Sequence, residues 1–216
     1  MNECLFSKPI TDRDFIKFKE NLINKINEDT IKRLNNTFEK IEKDKRLFRY
    51  YLKHIIKDSK GTKALTVIAM NPSTANENET DPTIENIEEY LKNNHKDYKE
   101  FIIFNIFPIR IPESEYLQYF IDIYKDEYQI NDKYITEHIE KTNNDILLAW
   151  GSEYHKYANV KLWWNELTKK NIYVGSLNKD YSPKSFSSRS YNTMEKNSKL
   201  KKVIINSKKN KLEYLK

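Results

Sequence analysis

The stretch Ala64-Leu-Thr-Val-Ile-Ala-Met-Asn-Pro-Ser-Thr-Ala-Asn76, followed by Asp81-Pro-Thr83, decides how this chain folds. Ala64 to Met70 is an almost unbroken apolar run of strand length, as expected for a strand covered on both faces of a parallel sheet. Pro72 has no N–H and cannot continue a ladder, so the strand must stop at Asn71. Asp81 and Pro82 then open a helix, one as its cap and the other in its first turn. Asn71 therefore stands just past the carboxyl end of a central strand, where open α/β sheets bind ligands.

Downstream the same alternation recurs. Phe101-Ile-Ile-Phe-Asn-Ile-Phe107 reads as a second buried strand, closed by Pro108 and Pro112. Asp145 to Trp150 is a third, ending at Gly151, and Ile172 to Val174 a short fourth, ending at Gly175. Helices are expected over 82–93, 114–125, 132–142 (capped by Asn131) and 155–169. Four strands separated by helices predict a three-layer αβα sandwich around a central, mostly parallel four-stranded sheet with right-handed crossovers.

Upstream, Thr11 with Asp14 resembles a capping box. Phe15, Phe18, Leu22, Ile23 and Ile26, then Ile31, Leu34, Phe38 and Ile41, follow at helical spacing, so residues 12–44 read as two helices or one broken near Asn27–Thr30. Such a stripe is expected to dock on its own domain; the other reading is a lid or an element that engages a protein partner. Leu47 to Ile56 is aromatic and fits either strand or helix. Lys202 to Asn206 and Lys211 to Tyr214 read as a lysine-protected hairpin. The expected division is a helical extension over 1–45, an α/β domain over 46–192 and a basic tail over 193–216.

With 38% hydrophobic and 13% aromatic residues in 216, the chain can bury a full core. No run approaches the roughly 18–20 apolar residues of a membrane span. Residues 1–9 lack a signal-peptide pattern, and Cys4 stands alone, so a cytoplasmic protein without a disulfide framework or Cys-based zinc site is expected. The net charge of +6 is unevenly spread: +5 over residues 1–60, −7 over 61–180 and +8 over 181–216. The basic end reads either as a phosphate-contacting tail or as an ordinary solvated lysine surface.

A parallel sheet brings all four strand ends to one edge. Asn71-Pro72-Ser73, Asn105 with Arg110, Trp150-Gly151-Ser152 and the loop Gly175–Arg189 together offer amides, hydroxyls and the cations Arg110, Lys179, Lys184 and Arg189. That inventory suits a planar polar ligand carrying phosphate. The competing reading is that Asn71 and Asn105 merely cap turns. His54, His95, His138 and His155 are scattered without metal-ligand spacing and read as surface residues. No glycine-rich phosphate loop is present, and Ser73 lacks the flanking glycines of a nucleophile elbow. No cofactor or metal is expected.

Ile68-Ala-Met-Asn-Pro-Ser-Thr-Ala75, Asp81-Pro-Thr83, Phe104-Asn-Ile-Phe107 with Arg110, Asn131-Asp132 and Ala149-Trp-Gly151 resemble, in that order, an uncharacterised bacterial and phage family. It is known only as a domain of unknown function with an NPSTA…DPT signature, and the resemblance covers roughly residues 46–192. More distantly, the same order is similar to the uracil-DNA glycosylase superfamily. That resemblance implies a glycosylase-like fold in which Asn71 orients the attacking water and Asn105 reads the base edge. Met70, Pro72, Ser73, Thr74, Phe104, Phe107, Arg110, Trp150, Gly151, Ser182, Lys184 and Arg189 would line the ligand site, with Phe104 or Phe107 stacking on the base.

The fourth motif departs from that pattern. Asp180-Tyr-Ser-Pro-Lys-Ser-Phe186 puts Ser185 and Phe186 where glycosylases keep His-Pro, which leaves Lys184 or Arg189 to balance leaving-group charge. The implied function is binding of a nucleobase or nucleotide, with hydrolysis of an N-glycosidic bond of a modified base in DNA or a nucleotide. The alternative is a non-catalytic nucleotide-binding or protein-interaction module, with residues 12–44 engaging a protein, for example in phage–host conflict.

Overall fold

The computed structural model describes residues 2–72, 74–111, 116–152, 158–206, 209 and 211–215. Among them the chain forms eight strands and seven helices. In chain order these are β1 (Glu3–Phe6), α1 (Asp12–Ile23), α2 (Glu28–Asp44), β2 (Arg49–Ile55), β3 (Lys63–Ala69), α3 (Pro82–Asn94), β4 (Tyr98–Asn105), α4 (Gln118–Ile121), α5 (Lys125–Lys141), β5 (Asp145–Ala149), α6 (Ala158–Leu167), β6 (Ile172–Val174), α7 (Ser188–Tyr191), β7 (Lys201–Asn206) and β8 (Lys211–Tyr214).

All eight strands form one mixed sheet in the order β1-β2-β4-β3-β5-β6-β7-β8. This corrects the expected four-stranded, mostly parallel sheet. Strands β4, β3, β5 and β6 pair in parallel, but β1–β2, β2–β4, β6–β7 and β7–β8 are antiparallel, so most of the pairings are antiparallel. The reason lies at the two sides of the sheet. Glu3–Phe6 is too short for a periodic signal, and the hairpin of β7 and β8 joins β6 through backbone bonds that side-chain patterning does not announce.

Two apolar clusters cover the two faces. Leu65, Val67 and Ala69 of β3 pack with Ile84, Ile87, Tyr90 and Leu91 of α3, whereas Ile68 packs with the cluster that holds α1, α2, α5 and α6. Thr11 accepts from Asp14 N–H at 3.1 Å to start α1, and Asn27 accepts from Thr30 N–H at 2.9 Å to start α2. The break between them therefore falls just before Asn27. Phe18 is fully buried, 5.5 Å from the Phe120 ring and 6.3 Å from Phe38, so the pair of helices is built into the core.

Asn131 departs from its expected role as a helix cap. It lies within α5, which runs without a break from Lys125 to Lys141, and its amide donates to the carbonyls of Asn105 and Ile106 at 2.9 and 3.3 Å. It satisfies the carbonyls at the end of β4 instead. The histidines also differ from expectation: His54 is buried, with Nε2 2.6 Å from Glu88, and Nε2 of His138 meets Thr66 Oγ1 at 2.8 Å. Ser73, Pro112 and His155 lie outside the described residues.

Candidate functional site at the strand ends

The crossovers place a crevice. From β3 the chain crosses through α3 on one face to β4, then returns through α5 on the other face to β5, on the far side of β3. The helices that follow β3 and β5, α3 and α6, also lie on opposite faces. Such a topological switch point opens a crevice at the carboxyl ends of the two strands.

Its walls are Met70-Asn71-Pro72 after β3 and Trp150-Gly151-Ser152 after β5, with Ser185 facing them from the loop after β6. Gly151 has a φ of +89°, and a Cβ built there would lie 3.7 Å from Ser185 Cβ and 3.8 Å from Met70 Cε. Those are ordinary van der Waals distances, so the three segments meet closely at the glycine, with room there for about one methyl group. Gly151 N–H donates to Pro183 O at 3.0 Å, which ties the loop after β6 to the end of β5. Ser185 and Ser187 share a hydrogen bond of 3.0 Å between hydroxyls. Asn71 donates from Nδ2 to the Ile111 carbonyl, which fixes the amide and leaves Oδ1 as its acceptor end.

Asn105 sits differently from Asn71. It is fully buried, and its Oδ1 accepts from Arg49 Nη2 at 3.0 Å. Arg49 Nη1 donates to Ala75 O at 2.9 Å, so one guanidinium clamps the end of β4 to the loop that follows β3. Burial pulls the Arg49 pKa down from the ordinary guanidinium range, and the nearby Asp81 carboxylate opposes that pull. Asp81 itself caps α3, accepting from Thr83 and Ile84 N–H at 2.9 and 3.0 Å. Asn105 Nδ2 and Arg49 Nε are buried with no partner among the described residues.

The other expected lining residues separate into groups. Met70, Pro72, Thr74, Trp150 and Gly151 belong to the two loops of the crevice, and Trp150 is fully buried. Phe104 turns toward α5, its ring 4.6 Å from His138, and Phe107 is buried beside Tyr128 at 5.9 Å. Arg110 is buried and donates to Asp44 Oδ2 at 2.9 Å and to Arg46 O at 2.7 Å. Ser182 is buried within its own turn, donating to Asp180 Oδ1 at 2.6 Å. Lys184 reaches Thr193 Oγ1 at 3.1 Å, whereas Arg189 is exposed on α7. Lys179 is exposed at the tip of the loop after β6.

Two residues outside the expected set shape this region, and a half-buried titratable group lies on α5. Arg49 carries the clamp, and its signal in the sequence is a cation at the head of an aromatic strand. Ser185 closes the crevice. Asp132 follows Asn131 on α5, where burial raises its carboxyl pKa to about 7 and leaves Oδ1 without a partner among the described residues.

A mixed sheet flanked by helices, with a topological switch point between β3 and β5 in its parallel centre, defines an α/β protein. The chain belongs to the family described as Protein of unknown function (DUF1643), whose model matches residues 49–184. No curated protein and no solved structure matches the chain. The matched span runs from the Arg49 clamp to Lys184, beside Ser185. No helix among the described residues is long and apolar enough to cross a membrane.

Proposed function

We propose that this protein binds a nucleobase or nucleotide in the crevice between β3 and β5. The observation that carries this reading is the convergence of the Asn71 and Gly151 segments, with Ser185 beside them, at the topological switch point of the sheet. Its chemistry suits a planar polar ring. Met70 offers an apolar, polarisable wall, the Asn71 carbonyl accepts, and the Ser185–Ser187 pair donates or accepts as the ligand requires. Asn105 takes a supporting role, because Arg49 already holds its carbonyl.

Asn71 favours a second, hydrolytic reading, drawn from the distant glycosylase resemblance. With Nδ2 committed to Ile111, its Oδ1 is the end that would orient a water. The water oxygen would bond to the anomeric carbon as the C–N bond breaks. The departing base would take the electron pair, and the proton released by the water would reach it through a serine hydroxyl, which stands where glycosylases keep a histidine to stabilise the base anion.

Native mass spectrometry and calorimetric titration with a panel of bases, nucleosides and nucleotides test the binding reading. Binding of at least one member, weakened about tenfold or more by Asn71→Ala or by a crevice-filling Ser185→Tyr, is the expected result. Failure to bind any of them would overturn it. For the hydrolytic reading, an Asn71→Ala protein that releases base as fast as the parent is the decisive negative.

A further inference from the structure

A second feature lies outside the crevice, where the loop after β6 meets the hairpin of β7 and β8. Leu177, Lys179, Tyr181, Lys211, Glu213 and Tyr214 are among the residues that line an open cleft of about 430 Å³. Two tyrosines dominate it. Tyr181 is 47% exposed and Tyr214 44%, both large aromatic surfaces left facing water.

The rings are held out by construction. Tyr181 has a φ of +65°, a left-handed conformation that non-glycine residues seldom adopt. The surrounding turn enforces it: Tyr181 N–H donates to Asn178 O at 3.0 Å, Asn178 N–H to Ser182 O at 2.8 Å, and Asp180 Oδ1 accepts from both the N–H and the hydroxyl of Ser182. Tyr214 is fixed from the other side, since its hydroxyl accepts from Leu177 N–H at 3.0 Å. That bond joins the turn to β8, so both rings belong to one wall.

Each ring carries a cation. Lys211 Nζ lies 3.8 Å from the Tyr181 ring centroid and Lys201 Nζ 5.8 Å from that of Tyr214, with Lys179 on the rim. Glu213 is the acid of the cleft, and Lys209 and Lys211 approach it at 3.7 and 3.9 Å. Residues 181–216 together carry a net +8. Exposed aromatic faces interleaved with lysines form the pattern that stacks bases while tracking a phosphate backbone.

We infer that Tyr181 and Tyr214, with Lys179, Lys201 and Lys211, form a stacking platform for single-stranded nucleic acid. Successive bases lie on the two rings, Lys211 moving off the Tyr181 face that a base takes, and the lysines meet the intervening phosphates. The loop that presents Tyr181 also carries Ser185 to the crevice, so a strand on the platform is led toward it. The inference extends the nucleotide reading of the crevice to a polymer, yet stands on different residues.

Fluorescence anisotropy with labelled oligothymidylate and oligouridylate, against a duplex and heparin, tests it on the full chain. One or both single strands should bind, more tightly than the duplex. Asn tolerates a left-handed backbone, so Tyr181→Asn removes the ring without disturbing the turn. Tyr181→Asn and Tyr214→Ala should each weaken single-strand binding about tenfold while leaving heparin binding unchanged. Tyr181→Phe should bind like the parent. Lys179→Glu with Lys211→Glu should flatten the salt dependence.

If neither single strand binds, or if the tyrosine variants bind as the parent does, the platform is refuted. Loss that extends equally to heparin would reduce it to a basic surface and overturn it too. The crevice is scored separately: mononucleotide binding that survives in Tyr181→Asn but fails in Asn71→Ala supports the crevice. Oligomer binding without any mononucleotide binding supports the platform alone.

Discussion

Arg49 Nη2 and Asn105 Oδ1 are joined by a hydrogen bond of 3.0 Å between side chains sealed from solvent, 56 positions apart in the chain. The same guanidinium holds Ala75 O, so it fixes the loop after β3 against the end of β4. Removing it leaves two buried acceptors unmet and deprives Asp81 of its nearby cation. Arg49→Met should therefore destabilise the fold by about 2–4 kcal/mol, and Asn105→Ala by about 1–3 kcal/mol. Urea unfolding of both single variants and the double variant measures this. A double variant no worse than Arg49→Met alone would establish the coupling, and a neutral Arg49→Met would refute the clamp.

Phe18 tests whether α1 belongs to the core. It is fully buried and touches rings from both α2 and α4. Truncation leaves a cavity that packed neighbours only partly fill, so Phe18→Ala should cost about 3–5 kcal/mol. Exposed Ile16, on the opposite side of the same helix, should tolerate alanine with a change of about 0.5 kcal/mol or less. Comparable, small losses at both positions would mean that the helix pair contributes little to the fold.

Gly151 separates conformational strain from crowding. At a φ of +89° an alanine is strained by about 1–2 kcal/mol, although its Cβ would meet nothing closer than 3.7 Å. Gly151→Ala should thus fold with a modest drop in thermal midpoint. Nucleotide binding in the crevice should fall by more than that strain explains, because the methyl takes the space between Met70 and Ser185. Undiminished binding would move the ligand site away from Gly151.

Local signals were the readable part of this sequence. Pro72 stops β3, Asp81 caps α3, and Thr11 with Asp14 opens α1, because each acts within a few residues of itself. Pairing at the sheet's sides was hidden, since β1 and β7 join through backbone groups that every residue possesses. Buried polar residues are hidden for a related reason. Asn131 resembles a cap and His54 a surface residue until their partners, Asn105 O and Glu88, arrive from distant elements. The positions of Asn71 and Gly151 just past the ends of β3 and β5 are legible from the strand terminations. The role of Arg49 is not, because it depends on two partners 26 and 56 positions away.

Two titrations on α5 oppose each other and give the fold a pH signature. Burial raises the Asp132 carboxyl from an ordinary 3.8 to about 7, while burial, aided by Lys170, lowers His138 from 6.5 to about 4. Between pH 3.8 and about 7 the folded chain keeps the Asp132 proton that the unfolded chain has released, so this group's contribution declines as pH rises. Between pH 6.5 and about 4 the unfolded chain binds a proton that His138 refuses in the fold, so that contribution is lost as pH falls. Over the shared window the two largely cancel. Asp132→Asn should expose the histidine, giving a thermal midpoint that climbs steadily from pH 4 to 6.5. The same variant should be more stable than the parent above pH 7 by about 1–2 kcal/mol, a figure reduced for partial solvent access. His138→Gln, which can retain the bond to Thr66, should show the reverse: a midpoint that declines from pH 4 toward 7. Parallel pH profiles for the parent and both variants would show that neither group titrates as its burial requires.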